Sequence, residues 1–225
     1  MAGMTTAPEQ IIVDSILDAI ANHKLRAGTK LGEHSLSEIF SCNRTQVRRA
    51  LATLTGYQVV EHIPNRGAFV TTPSERDARD VFQARQAIEL TICGNVVQFE
   101  TLPDFPPLHE NIGAESRAIA AGNRAETIRL SRKFHLILAE LGGNSVLERY
   151  LEELTMRSSL ILGLYGGDTE SQCASDDHCR IVAALEARDG AAAQAEMRAH
   201  LQHIEAEVDF TGARKPTGAL SSLLL

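Results

Sequence analysis

Apolar residues at positions 12, 13, 16, 17 and 20 recur at helical spacing, so residues 8–22 read as a helix with a wide apolar stripe. Gly28 and Gly32 interrupt the pattern. Residues 35–41 (SLSEIFS) predict a short second helix, and residues 44–55 a third. Asn43 stands where an N-cap belongs, because its side-chain oxygen can take a free N–H of the first turn. After Gly56 the period changes. Residues 59–63 (VVEHI) and 68–70 (AFV) are β-prone runs, and PNRG at 64–67 supplies a tight turn. Three helices followed by a hairpin are the element order of a winged helix-turn-helix.

Beyond Thr71-Thr72-Pro73 the chain reads as helical almost to its end, with Ser74 as the cap of the next helix. The spacing predicts helices near 74–99, 103–121, 124–141, 145–164, 175–188 and 190–208. Pro103, Gly122-Asn123, Gly142-Gly143-Asn144, Gly166-Gly167 and Gly190 mark the breaks. The expected fold is mainly α: a winged helix-turn-helix over 1–73, an all-helical bundle over 74–210, and a tail over 211–225 expected to fray. The composition suits this, since the seven Phe, three Tyr and no Trp leave cores of Leu, Ile, Val and Ala. No apolar run approaches the ~20 residues of a membrane span. The first ten residues lack a basic and then apolar secretory pattern. Cys42, Cys93, Cys173 and Cys179 form no CxxC pair. A reduced, cytoplasmic protein follows.

The net charge of −7 argues at first against nucleic acid, but it is unevenly placed. Residues 1–73 carry 7 Lys/Arg and 6 Asp/Glu, net +1, and the remainder 15 and 23, net −8. Between 42 and 66, Arg44, Arg48, Arg49 and Arg66 face one acid, Glu61. A local basic patch is what phosphate contact requires. On the third helix Val47, Ala50, Leu51 and Leu54 share an inner face, which turns Arg44, Thr45, Arg48 and, more laterally, Gln46 and Arg49 outward. Polar groups at the N-terminal half of such a helix meet base edges in the major groove. Arg pairs with guanine and Gln with adenine, and Arg66 at the hairpin tip suits a narrow minor groove. A merely solvated charged face is the competing reading. It does not account for the joint occurrence of helix order, clustering and hairpin.

Three histidines fall on apolar faces of three different helices. His178 lies with Ile181, Val182 and Leu185, His200 with Met197, Leu201 and Ile204, and His135 with Ile128, Ser131 and Leu138. Buried imidazoles from separate helices can hold a divalent metal. A lone His on an apolar face is more often a hydrogen-bonded core residue, and spacing alone is a weak sign of a metal. His203, one turn from His200, is a rival ligand, whereas His23, His34, His62 and His109 read as surface or hinge residues.

Residues 16–73 resemble the DNA-binding domain of the GntR family, through ILDAIANHKLRAGTKLGEHSLSEIF, CNRTQVRRAL and VVEHIPNRGAFVTTPS. The resemblance implies DNA contacts from Arg44, Thr45, Gln46, Arg48 and Arg49 on the recognition helix, and from Asn65, Arg66 and Gly67 on the wing. Gln46 stands where that family often has Pro, and Arg49 where an acid is common. Residues 74–210 resemble its FadR-type effector domain, often called FCD, through FQARQAIEL, LSRKFHLILAELGGNSVL and DDHCRIVAALEARDGAAAQAEMRAHL. Many such domains bind zinc or a similar metal through an Asp and three His. The histidines match His135, His178 and His200, but the Asp position is Ser131. Two readings follow. In the preferred one, zinc (or nickel or manganese) remains on three His plus water. In the other, the metal is lost and Ser131 and the three His bind an effector directly. Basic residues of the first and fourth helices reach the effector pocket in similar domains, which implicates Arg85 and Arg157, and Glu89 is a further candidate. Interhelix salt bridges are their competing reading.

The resemblance implies a homodimeric repressor on a near-palindromic double-stranded operator, controlled by a small organic acid, sugar acid, fatty-acid derivative or amino acid. Two other readings compete with it. A metal-dependent hydrolase would use Asp176 or Asp177 as base, but no HExxH-type motif occurs. An effector-independent DNA-binding dimer would show no ligand response.

Overall fold

The computed structural model describes residues 7–167, 173–212 and 220–224. The first part runs α1 (Pro8–Ala21), β1 (Lys30–Leu31), α2 (Glu33–Ile39), α3 (Arg44–Gly56), β2 (Val60–Ile63) and β3 (Gly67–Val70). Then follow α4 (Glu75–Gln98), α5 (Pro106–Ala120), α6 (Arg124–Leu141), α7 (Ser145–Tyr165), α8 (Cys173–Glu186) and α9 (Gly190–Ala206). A short 3-10 turn (Phe210–Gly212) and α10 (Leu220–Leu224) come last. Among the described residues no helix is long and apolar enough to cross a membrane.

The predicted caps form. Asn43 accepts from the Gln46 N–H, and the Gln46 side chain accepts in return from the Asn43 N–H, a reciprocal capping box. Ser74 and Asp77 make the same box at the start of α4. The second helix begins two residues earlier than its apolar pattern indicates, at Glu33. The hairpin is part of a three-stranded antiparallel sheet in the order β1-β3-β2, with Lys30 opposite Phe69 and Val60 opposite Val70. At the tip, Asn65 (φ 61°) and Gly67 (φ 97°) take the left-handed conformation that a tight turn demands.

Two apolar cores result. The first joins Ile12, Ile16 and Ile20 of α1 to α2, α3, the sheet, the start of α4 and the C-terminal half of α7, from Met156 to Tyr165. The second fills the space between α4, α5, α6, α8 and α9 around Phe82, Phe134 and Leu138. Fully burying each such Ile or Phe contributes about 1.5–3 kcal/mol. α7 therefore enters both parts of the chain: Leu151 lies in the second core, Leu160 and Ile161 in the first. The tail departs from expectation. Leu220, Leu223 and Leu224 do not fray but pack on the first core, with α10 against α1 and α2. Residues 213–219 and 225, which complete that tail, lie outside the described residues.

Candidate metal centre and nucleic-acid interface

His135 on α6, His178 on α8 and His200 on α9 converge in the second core, each at most 1% exposed. His178 Nε2 lies 3.2 Å from His200 Nε2, which lies 3.3 Å from His135 Nε2. Each outer nitrogen faces a carboxylate. His178 Nδ1 is 2.8 Å from Glu115 of α5, and His200 Nδ1 is 3.3 Å from Asp177. His135 Nδ1 is 2.5 Å from Glu89 of α4, though off the axis of a hydrogen bond. Phe134 stacks on the His178 ring at 3.9 Å and fixes its plane.

Proton accounting decides what this arrangement can hold. A neutral imidazole carries one proton. If Nδ1 donates it to the carboxylate, three Nε2 lone pairs point at one another. If instead an Nε2 carries it, a bare Nδ1 lone pair faces a carboxylate. Burial opposes protonation of His178 and His135, pushing His178 well below its ordinary value and His135 down to about 3. A cation at the shared point of the Nε2 atoms would satisfy the three rings together. In a tetrahedral site with nitrogen ligands at ~2.0–2.1 Å, neighbouring nitrogens are about 3.3 Å apart. The His178–His200 and His200–His135 spacings fit that distance, and the three ligand atoms all lie within 4.8 Å of one another. The carboxylate behind each ring is the usual orienting partner of a metal-bound histidine.

The surrounding charges are fixed by neighbours. Burial would raise Glu89, but Arg85 and His135 overcome it and hold the carboxyl at about 2. Asp177, raised by burial, is brought to about 2 chiefly by its hydrogen bonds from His200 and His203. Burial pushes Glu115 up to about 7, and a cation on His178 would draw it back toward the carboxylate range. His203 shares Asp177 but stands 42% exposed, apart from the three convergent rings.

A cavity of about 50 Å³ adjoins the centre, several times the ~10–15 Å³ that admits one water. His135 and Glu115 reach its wall, with Ser131 one turn before His135. Arg85, Arg124 and Arg132 supply positive charge, and Thr127, Thr155, Ser158 and Ser159 supply hydroxyls. Arg85 is buried, donating from Nε to Glu89 at 2.7 Å and from Nη1 to Ser158 at 2.9 Å. Its Nη2 is buried without a hydrogen-bond partner among the described residues. Arg157 is elsewhere. It lines a separate groove with Thr72, Pro73 and Asp77, 3.9 Å from Glu153.

Sequence reasoning missed Glu115, Arg124 and Arg132. Glu115 was legible in part: it continues the stripe Leu108, Ile112 at helical spacing, and a lone acid on an apolar face signals a buried partner. The arginines gave no such signal, because only the packing of α6 turns them toward the cavity.

At the other end, α3 exposes Arg44, Thr45, Arg48 and Arg49, and the hairpin exposes Asn65 and Arg66. Arg48 Nε is 2.8 Å from Glu33, and Arg49 Nη1 3.7 Å from Glu9. The Arg66 guanidinium sits over the Phe69 ring. Gln46 is half-buried and its side-chain oxygen is occupied in the capping box, a structural duty additional to the base contact expected of it.

Known proteins match both parts of the chain. Residues 8–70 match the profile of bacterial regulatory proteins of the gntR family, and residues 80–203 match the FCD domain. The HTH-type transcriptional regulator LutR of Bacillus subtilis is 26% identical over 208 residues, covering 83% of this chain and 94% of that protein. The HTH-type transcriptional repressor RspR of Escherichia coli is 26% identical over 182 residues, 80% of each chain. In fold, the chain is similar to a GntR regulator from Rhodococcus sp. RHA1 (TM-score 0.75, 22% identity, 93% of this chain and all of that one). It is also similar to E. coli McbR/YncC (TM-score 0.74, 20% identity, 90% and 97%). These relatives are DNA-binding regulators rather than enzymes. The chain belongs to the GntR family of bacterial regulatory proteins, in the group that joins a winged helix-turn-helix to an FCD domain.

Proposed function

We propose that this chain is a cytoplasmic transcriptional repressor that binds its operator as a homodimer and answers to a small carboxylate held beside a divalent metal. His135, His178 and His200 are the metal ligands, with Glu89, Glu115 and Asp177 orienting them. When bound, the cation supplies a Lewis-acidic point for an anionic oxygen. Zinc is the first candidate, given three neutral nitrogens, with nickel and manganese as alternatives. Ser131 leaves the wall without the acid that its position implies in similar domains, so the site favours an anion.

The observation that carries the ligand part is Arg85 Nη2: a buried charged donor without a hydrogen-bond partner among the described residues, on the wall of a cavity beside the convergent imidazoles. Leaving such a group unpaired costs about 1–3 kcal/mol or more, and a carboxylate removes that cost. An effector-independent DNA binder gives no account of it. Arg157, distant from this cavity, is not assigned to the ligand.

On DNA, Arg44, Thr45 and Arg48 address the major groove, Gln46 and Arg49 its edges, and Asn65, Arg66 and Gly67 the minor groove. The test begins by selecting an operator from random duplexes with the metal-loaded chain. Its affinity is then measured by fluorescence anisotropy with and without candidate acids. We expect a specific half-site pair and a shift in affinity of about 5–150-fold with at least one acid. Sequence-indifferent binding that no acid alters contradicts the reading.

A further inference from the structure

Arg124 begins α6, the helix that carries Ser131 and His135, yet its guanidinium reaches across to α1. Nε donates to the Ala21 carbonyl at 2.7 Å and Nη2 to that of Leu162 at 2.9 Å, while Nη1 donates to that of Gly167. Ala21 is the last residue of α1, the first helix of the winged helix-turn-helix. Beneath these bonds Ala21, Ala125, Ile128 and Leu162 form a small apolar cluster. The same Arg124 side chain lines the cavity beside the imidazoles. One residue thus belongs both to the ligand wall and to the end of a DNA-binding helix.

The junction has no slack. A Cβ on Gly163 would come within 2.9 Å of Ile20 Cγ2 and 3.3 Å of the Ala21 backbone. A Cβ on Gly166 would come within 2.5 Å of the Leu162 carbonyl oxygen and 3.1 Å of Arg124 Nη2. In so close a fit, a shift of the guanidinium is felt by the backbone it holds.

Charge favours the present bond, since a cation near a helix C-terminus is stabilised by unpaired carbonyls. A carboxylate competes with it, because it brings a full opposite charge and can pair with the planar guanidinium through two parallel bonds. Side-on bidentate pairing also needs the single Nε hydrogen, which Ala21 now holds.

We propose that Arg124 is the coupling residue of the protein: an anionic ligand in the cavity and the Ala21 carbonyl compete for its guanidinium, so that binding loosens the end of α1. The inference rests on the cavity being an effector site, and the experiment separates the two claims. Hydrogen exchange is followed by mass spectrometry on the full zinc-loaded chain with millimolar acetate, lactate, malate or citrate. The reporters are the amides of Asn22, His23 and Leu25, which donate to Asp18, Ile20 and Ala19. An acid that slows exchange in α6 and α8 is expected to speed these three amides by about fivefold or more, the lower range of ordinary coupling. A ligand that only stabilises the fold slows both regions. Arg124→Gln is expected to speed the same amides without acid, and Arg124→Lys serves, with a smaller rise, if the first variant does not fold. Protection of α6 and α8 with α1 slowed or unmoved overturns the coupling and leaves the effector site standing. No protection by any acid overturns both. Variants that leave the three amides unmoved overturn the coupling alone.

Discussion

His178 Nε2 and His200 Nε2 face each other at 3.2 Å in the second core, each ring buried and backed by a carboxylate on its other nitrogen. On the proposed reading a cation relieves these facing nitrogens, and the metal then contributes to folding as well as to ligand binding. Removing it with a chelator is expected to lower the midpoint of thermal unfolding. At a free metal concentration of 100 Kd the loss is about 2.7 kcal/mol. For a chain of this size that is about 5–10 °C. Scanning calorimetry before and after zinc is returned checks it, and an unchanged midpoint would contradict it.

Glu115→Gln tests the support of the centre rather than its ligands. The amide removes the charge behind His178 Nδ1 while keeping the shape. Metal affinity is expected to fall about 10–100-fold, measured by competition with a chromophoric chelator. Affinity equal to the parent's would show that Glu115 does not orient His178.

Arg85→Met leaves the Glu89 carboxylate buried without the cation that it meets at 2.7 Å. Breaking one partner out of a buried pair typically costs about 3–5 kcal/mol. Replacing both, Arg85→Met with Glu89→Gln, is expected to cost less than the sum of the two single changes by 0.5 kcal/mol or more, roughly. Urea unfolding of the four chains reads this, and strict additivity would deny the coupling.

Much of this was legible in the sequence, and the limits have physical causes. The caps at Asn43 and Ser74 and the helix breaks are local chemistry, so they appear where the pattern puts them. Each histidine's apolar face was readable, but their meeting was not, because convergence depends on how α6, α8 and α9 pack. Lys30–Leu31 is too short for any period to show, and it becomes a strand only by pairing with β3. Leu220, Leu223 and Leu224 looked like a loose end, since nothing local reveals the apolar surface of α1 and α2 that receives them. Arg157 shares α7 with Ser158, yet the two side chains leave the helix in different directions, and only Ser158 reaches the cavity.

The DNA surface yields its own prediction. Arg44 is exposed in the first turn of α3. If it pairs with a guanine, Arg44→Ala costs about 1–3 kcal/mol at one operator position and relaxes specificity there. Arg66→Ala should weaken binding where the minor groove is narrow. Competition against operators altered one base pair at a time distinguishes these from uniform loss, which would mark both as phosphate contacts only.

The central claim is a metal held by three histidines that spacing alone could not distinguish from core residues. Elemental analysis by mass spectrometry, on protein purified without a histidine tag or chelator and beside a His178→Ala variant, tests it most directly. The account predicts close to one zinc, nickel or manganese per chain in the parent and a large loss in the variant. A parent chain that stays free of metal after incubation with zinc would contradict it and leave His135, His178 and His200 as hydrogen-bonding groups of the core.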